Sequence, residues 1–121
     1  MSDTSDIYQN PGKTTIAPEV LLTIARLTTL GVAGVSRMSS LPGGVNRIFN
    51  RSMGEGVRID LKDDIVTADL YVILTNEVNI REVSRNIQVK VARAISDMVG
   101  MQVGRVNIHV EDIDFPEEKE G

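Results

Sequence analysis

The chain has 121 residues, of which 41% are hydrophobic and 25% are charged, and it contains neither cysteine nor tryptophan. This length fits one domain, and the apolar fraction is sufficient for a packed core. The lack of cysteine excludes disulfides, thiol catalysis and cysteine-ligated metal sites. The apolar runs are far shorter than the roughly 20 residues that cross a bilayer, and the acidic, polar start does not resemble a secretory signal. We therefore expect a small cytoplasmic domain.

The net charge of −4 belongs to the two ends of the chain. Residues 1–12 hold two aspartates and no base, and residues 113–121 hold four acids against one lysine, so residues 13–112 are nearly neutral. A domain built to bind phosphates is usually clearly basic, so the charge gives no positive case for nucleic acid. The composition predicts a disordered tail over 1–12, one domain over 13–115 and an acidic disordered tail over 116–121.

The sequence at the start of the domain predicts a short edge strand at residues 14–16, followed by a helix. Pro18 suits the first position of a helix, where its missing N–H costs nothing, and apolar residues then recur at helical spacing to about Leu30. Glycines at 31 and 34 end the helix. Residues 36–56 are rich in Gly, Ser, Pro and Asn and predict a long mobile loop.

Residues 57–75 alternate apolar and polar side chains on both sides of two adjacent aspartates, which predicts a β-hairpin. With Asp63 and Asp64 as the turn, the apolar residues of both strands share one face. Arg58 then lies opposite Asp69 on the other face, as a cross-strand pair of opposite charge.

A second helix of about 20 residues is predicted after Asn79, which has a glutamate three residues later in capping-box spacing. A last strand is predicted over 103–110, with His109 on its outward side. The order is therefore (β)-α-β-β-α-β. We expect an α+β two-layer sandwich, with two helices on one face of a three- or four-stranded, mainly antiparallel sheet.

Three blocks of the sequence carry a resemblance to a known family. They are IAPEVLLTIARLTTLGVAGVSRM at 16–38, VNIREVSRNIQVKVARAISDMVGMQV at 78–103 and VNIHVEDIDF at 106–115. Together they resemble the bacterial alkaline shock protein family, also called the general stress or cell-envelope stress response family. The combination of the three blocks is specific, whereas any one of them alone would not be.

The resemblance implies a small, abundant, non-enzymatic cytoplasmic protein. It also implies self-assembly and attachment to the inner face of the cell membrane through a separate membrane-anchored protein. No catalytic residues come with this family. The expected partners are therefore further copies of the chain and a membrane-anchored protein, and the chain has no transmembrane segment of its own.

The residues themselves give no catalytic, metal or cofactor site. His109 is the only histidine, and with no cysteine it leaves a zinc site short of ligands. The aspartates at 60, 63, 64 and 69 lack the regular spacing of a calcium loop, so turn formation and a salt bridge explain them better. The glycine pairs lack the spacing of phosphate-binding loops.

Two interaction surfaces remain open from the sequence. The sheet face away from the helices would carry a mixed surface of the kind that pairs subunits. Basic residues of the second helix and the loop could instead bind nucleic acid, acidic lipid or an acidic protein. The alternative function is therefore that of an RNA-binding module. The candidate residues of both surfaces are Arg37, Arg47, Arg51, Arg58, Tyr71, Ile73, Arg81, Arg85 and His109.

Overall fold

The structure is a computed structural model that describes residues 11–41 and 51–116. Within these residues, two helices and five strands follow one another. In order they are α1 (Pro18–Leu30), β1 (Val35–Met38), β2 (Arg51–Gly54), β3 (Val57–Lys62), β4 (Ile65–Thr75), α2 (Ile80–Val99) and β5 (Gln102–Asp114).

Strand β4 is the centre of the sheet and pairs with three other strands. On one side β5 runs parallel to its whole length, from Ile65 to Thr75. On the other side β3 and β1 both run antiparallel to it, β3 against its first half and β1 against Val72 to Leu74. Strand β2 pairs with the outer side of β3. The sheet is therefore mainly antiparallel, with one parallel pair.

The β3–β4 hairpin has the register that its alternating sequence predicts. Val57, Ile59 and Leu61 lie opposite Leu70, Ala68 and Val66. Asp63 and Asp64 both have positive φ, of 53° and 65°. This is the backbone that a two-residue hairpin turn requires, and aspartate tolerates it better than most residues.

Both helices cover the same face of the sheet. The even-numbered side chains of β4 from Val66 to Leu74 are buried there against the apolar stripes of the helices. Those stripes are Leu21, Ile24 and Ala25 of α1 and Val83, Ile87, Val91 and Ile95 of α2. The odd-numbered side chains of β4 point to the opposite face, because successive side chains of a strand alternate. No element among the described residues covers this second face, which we name the open face.

The fold class is confirmed, while three details of the sequence prediction are corrected. Residues 14–16 form no strand, because they pair with no strand of the sheet and lead directly into α1. The segment 36–56 contains β2 and all of β1 except its first residue, so it is not one structureless loop over its described part. The sheet has five strands rather than three or four, because these two strands are only four residues long and show no readable periodicity.

Candidate interaction surface on the open face

The open face carries a cluster of polar and aromatic side chains at the middle of the sheet. Strand register explains their proximity: Arg58 lies opposite Asp69, Asp69 lies opposite Asn107, and Tyr71 lies opposite His109. Three strands thus bring together residues that are up to 51 positions apart in the chain. We call Arg58, Asp69, Tyr71, Asn107 and His109 the open-face cluster.

Asp69 is the hydrogen-bonding centre of this cluster. Its Oδ1 accepts a hydrogen bond from Asn107 Nδ2 at 3.1 Å and lies 3.0 Å from His109 Nε2. Its Oδ2 lies 3.8 Å from Arg58 Nε. An ionised carboxylate only accepts hydrogen bonds, so the contact with His109 assigns the proton to Nε2 of the imidazole. The Asp69 side chain is 20% exposed, so it lies near the surface. Its contacts with Arg58, Asn107 and His109 hold it in place there.

Tyr71 supplies the apolar part of the cluster. Its ring stacks on the His109 imidazole with centroids 4.3 Å apart and planes 11° from parallel. Arg58 Nη2 donates a hydrogen bond to the Tyr71 hydroxyl at 3.0 Å, and the guanidinium carbon lies 6.0 Å from the ring centroid. These neighbours reduce the exposure of Tyr71 to 5%, although no layer of the described chain lies over it.

A second polar group lies at one end of the same sheet, beside Ile73. Arg37 is opposite Ile73 in the register, and it binds both carboxylate oxygens of Asp114 at 3.0 and 3.1 Å. Ser36 Oγ donates to the same carboxylate at 2.6 Å. The hydrogen bonds from Arg37 and then from Ser36 lower the pKa of Asp114, and Asp114 in turn raises the pKa of Arg37. Because Asp114 lies opposite Thr75, this ion pair connects the two strands that flank β4.

The remaining predicted residues lie elsewhere. Arg81 and Arg85 are exposed on α2, in the helical layer, and so they do not join the open-face cluster. Arg51 lies in β2, where only the backbone is described, and Arg47 lies outside the described residues. The basic residues that favoured nucleic acid are therefore not gathered on one surface of the described chain.

Asp69 is part of the cluster, although the sequence did not single it out as a site residue. Asp69 drew attention only as the expected partner of Arg58. An aspartate in the middle of a strand is itself a signal, because aspartate is depleted from strands. Its contacts with Asn107 and His109 depend on the parallel pairing of β4 with β5, which no local pattern indicates.

The described residues offer neither a metal site nor a membrane-spanning helix. Among residues 11–41 and 51–116 there is no group of three or more His, Asp or Glu side chains that could hold a metal ion. Over the same ranges neither helix is long and apolar enough to span a membrane. The one His–Asp pair of the described residues is His109 with Asp69 in the open-face cluster. Its two side chains contact each other on the open face of the sheet.

Comparison with known proteins gives a family and several relatives. Residues 6–115 match the model of the alkaline shock protein family, which is described as having a cell envelope-related function. The chain is 35% identical over 106 residues to the uncharacterized protein YqhY of Bacillus subtilis, a match that covers 86% of the chain and 78% of the relative. It is 39% identical over 104 residues to the uncharacterized protein Spy1535 of Streptococcus pyogenes, covering 84% and 79%. No solved structure shows a significant match.

The family description and the names of these relatives specify no reaction. The matched range includes each helix and strand of the described residues and all five residues of the open-face cluster. The resemblance carried by the three sequence blocks is confirmed, and the chain belongs to the alkaline shock protein family, whose function is related to the cell envelope.

Proposed function

We propose that the chain is a non-enzymatic protein of the cell-envelope stress response that works in the cytoplasm by association. It associates with itself and binds a protein partner that is held at the inner face of the membrane. The open face of the sheet is the surface that receives this partner. The family assignment supports the envelope role, and the open-face cluster carries the proposal of binding.

The composition of the open-face cluster fits protein recognition. Tyrosine and arginine are enriched among the residues that contribute most to protein–protein binding. Here Tyr71 and Arg58 are adjacent and bonded to each other at the middle of an open sheet. The Tyr71 ring is already buried by its neighbours, so a partner that covers this site would bury the guanidinium group of Arg58 and the imidazole of His109, which are 30% and 38% exposed.

The cluster is also ordered before a partner arrives. Asp69 holds Arg58, Asn107 and His109, and the stack on His109 holds Tyr71. Side chains that are already fixed lose less conformational entropy when they are buried, so more of the interaction energy remains as affinity. The polar atoms have partners within the cluster, and a protein surface can therefore cover them at a small desolvation cost.

The experiment measures attachment to membranes and self-association separately. Membranes from cells that lack the chain are incubated with purified chain before and after protease treatment, and bound chain is measured by sedimentation. We expect binding that protease treatment abolishes. The variant His109→Ala with Arg58→Ala is expected to bind at least about tenfold more weakly, as loss of a binding hot spot does. Lys90→Ala, on the helical layer, serves as the matched control and should bind normally.

Light scattering over a range of concentrations tests self-association of the same preparations. A mass that rises with concentration is the expected result. A chain that stays monomeric at several hundred micromolar would contradict the self-association. Membrane binding that survives protease treatment, or that is unchanged in the double variant, would contradict a protein partner on the open face. Salt-sensitive binding of single-stranded RNA by Arg81 and Arg85 would favour the nucleic-acid alternative.

A further inference from the structure

The outer edge of β5 is the longest stretch of sheet edge in the described chain. The strand has 13 residues, and within 11–41 and 51–116 it pairs with β4 alone. Natural proteins usually protect such an edge with proline, lysine or bulges. Strand β5 contains neither proline nor lysine. Its two bulges lie at Gly104 and Glu111, so the segment from Arg105 to Val110 between them is regular and available for pairing.

Apolar surface continues from this edge into the helical layer. A groove of about 290 Å³ runs between α2 and β5, and Val89, Ala92 and Val106 are part of its lining. Val89 is 48% exposed, which is unusual for a valine beside the core. Ile108 and Val110 face the helices but are only half-buried. The edge of β5 therefore combines main chain that pairs with no second strand in the described chain with partly uncovered apolar side chains.

We propose that β5 pairs antiparallel with β5 of a second copy, about a twofold axis at Ile108. The inference rests on the proposed function, since it names the surface used for self-association. The two sheets then form one continuous sheet. Such an interface is isologous, so each copy offers the same edge and the assembly closes as a dimer.

Charge complementarity selects this register. Arg105 and Glu111 lie three residues on either side of Ile108, and both are exposed. Antiparallel pairing about Ile108 brings Arg105 of each copy to the Glu111 bulge of the other, just beyond the end of the regular segment, which gives two ion pairs across the interface. A twofold axis one residue earlier, at Asn107, would place Arg105 opposite His109. That pair lacks the attraction between opposite charges that Arg105 and Glu111 provide.

The helical layer fits the same arrangement. A twofold axis perpendicular to the sheet leaves the helices of both copies on one side and both open faces on the other. Val89 and Ala92 then face the second copy across the junction and lose their exposure to water. Val106 O accepts a hydrogen bond from Gln88 Nε2 at 3.0 Å. This bond is compatible with pairing, because a carbonyl oxygen has two lone pairs.

The first test exchanges the charges. The dimer dissociation constants of the native chain, Arg105→Glu, Glu111→Arg and the double exchange are measured by analytical ultracentrifugation. Each single change converts two attractions into two repulsions, so we expect the dissociation constant to rise about tenfold. The double exchange restores the attraction and should return the constant to near the native value. A merely structural role of either residue would not produce this recovery.

The second test uses the absence of cysteine from the chain. Ile108→Cys places one thiol of each copy at the twofold axis, and mild oxidation should give a covalent dimer. Leu61→Cys is the matched control, because it is a more exposed strand residue on β3, away from the β5 edge. This control should give little covalent dimer under the same conditions.

The outcomes separate this inference from the proposed function. Edge pairing is supported by three results together. Each single charge variant dimerises more weakly, the double exchange dimerises nearly as the native chain does, and Ile108→Cys forms a covalent dimer. A native chain that self-associates, with all three charge variants unchanged and no cross-link at 108, overturns edge pairing and leaves self-association standing. A chain that is monomeric at every concentration overturns both.

Discussion

The backbone N–H of Tyr71 donates a hydrogen bond to the carbonyl oxygen of Gly56 over 2.8 Å, at the point where β1 ends and β3 begins along the same side of β4. The carbonyl of Tyr71 accepts from the N–H of Ser39 at the same distance. The residue that supplies the aromatic ring of the open-face cluster is therefore held by its main chain at the junction of two strands. These bonds fix the backbone from which the ring projects, and the side-chain contacts with His109 and Arg58 then hold the ring itself.

Replacing Gly56 by alanine should destabilise the fold severely. Gly56 has φ +71°, and a β-carbon there would lie 2.7 Å from the carbonyl oxygen of Ser39 and 2.8 Å from Cβ of Met38. We expect the free energy of unfolding, measured by urea titration, to fall by about 2 kcal/mol or more. Gly100→Ala is the matched control, since φ is +76° but the space is open. It should lose only about 1 kcal/mol, and equal losses would contradict the steric argument.

Removing the carboxylate of Asp69 should weaken the fold and loosen the open face. Asp69→Ala leaves Arg58, Asn107 and His109 without their shared acceptor. Because these groups are only partly buried, we expect a loss of about 1–2 kcal/mol in the free energy of unfolding. The Tyr71 and His109 ring signals in NMR spectra should also broaden or shift. Asp97→Ala, at an exposed position of α2, is the comparison and should change neither measurement appreciably.

The contribution of Asp114 to stability should depend on pH. The hydrogen bonds from Arg37 and Ser36 hold the pKa of Asp114 below its usual range. A lowered folded-state pKa means that the stabilisation is fully present above the pKa of the unfolded-state carboxyl and is lost as the pH falls through the folded-state pKa. Asp114→Asn should therefore be less stable than the native chain at pH 7, and the difference should vanish in acid. The double variant with Arg37→Ala should show little of this pH dependence, and an unchanged dependence would count against the ion pair.

The N-terminus of α2 should lose stability when its capping side chain is removed. Asn79 Oδ1 accepts a hydrogen bond from the N–H of Glu82 at 3.0 Å. Asn79→Ala should lower the free energy of unfolding by about 1 kcal/mol. Asn86→Ala makes the same chemical change at an exposed position inside α2 and should be neutral or slightly stabilising, because alanine is the better helix former. A similar loss in both variants would show that the cap is not responsible.

The elements that sequence reasoning predicts well are those with long, regular patterns. Helix α1 from Pro18 to Leu30 and the hairpin turn at Asp63 and Asp64 are found where the sequence indicates them. Their signals are local, because periodicity and turn chemistry act over a few residues. Strands β1 and β2 have four residues each and gain their structure from pairing with β4 and β3, which no local pattern records.

The candidate site could be predicted only in part, for the same reason. The hairpin register alone places Arg58 beside Asp69 and Tyr71 on the open face. The contact of Asp69 with His109, 40 residues away, depends on a parallel pairing made through an intervening helix. A sequence pattern indicates that His109 points outward but cannot tell which side chain of the neighbouring strand it meets.

The central position of β4 also has a consequence for the order of folding. Strands β1 and β5 both pair with β4 from more than 30 residues away. The connection from β4 to β5 is filled by α2, which packs on the sheet, so β3, β4, α2 and β5 follow one another in the continuous stretch 57–114. Contacts between near neighbours require less loop-closure entropy, so they form earlier. We expect the 57–114 unit to contain the folding nucleus and β1 to dock onto it last. Amide protons of β4 that bond to β5 should then exchange most slowly, and those of β1 should open first.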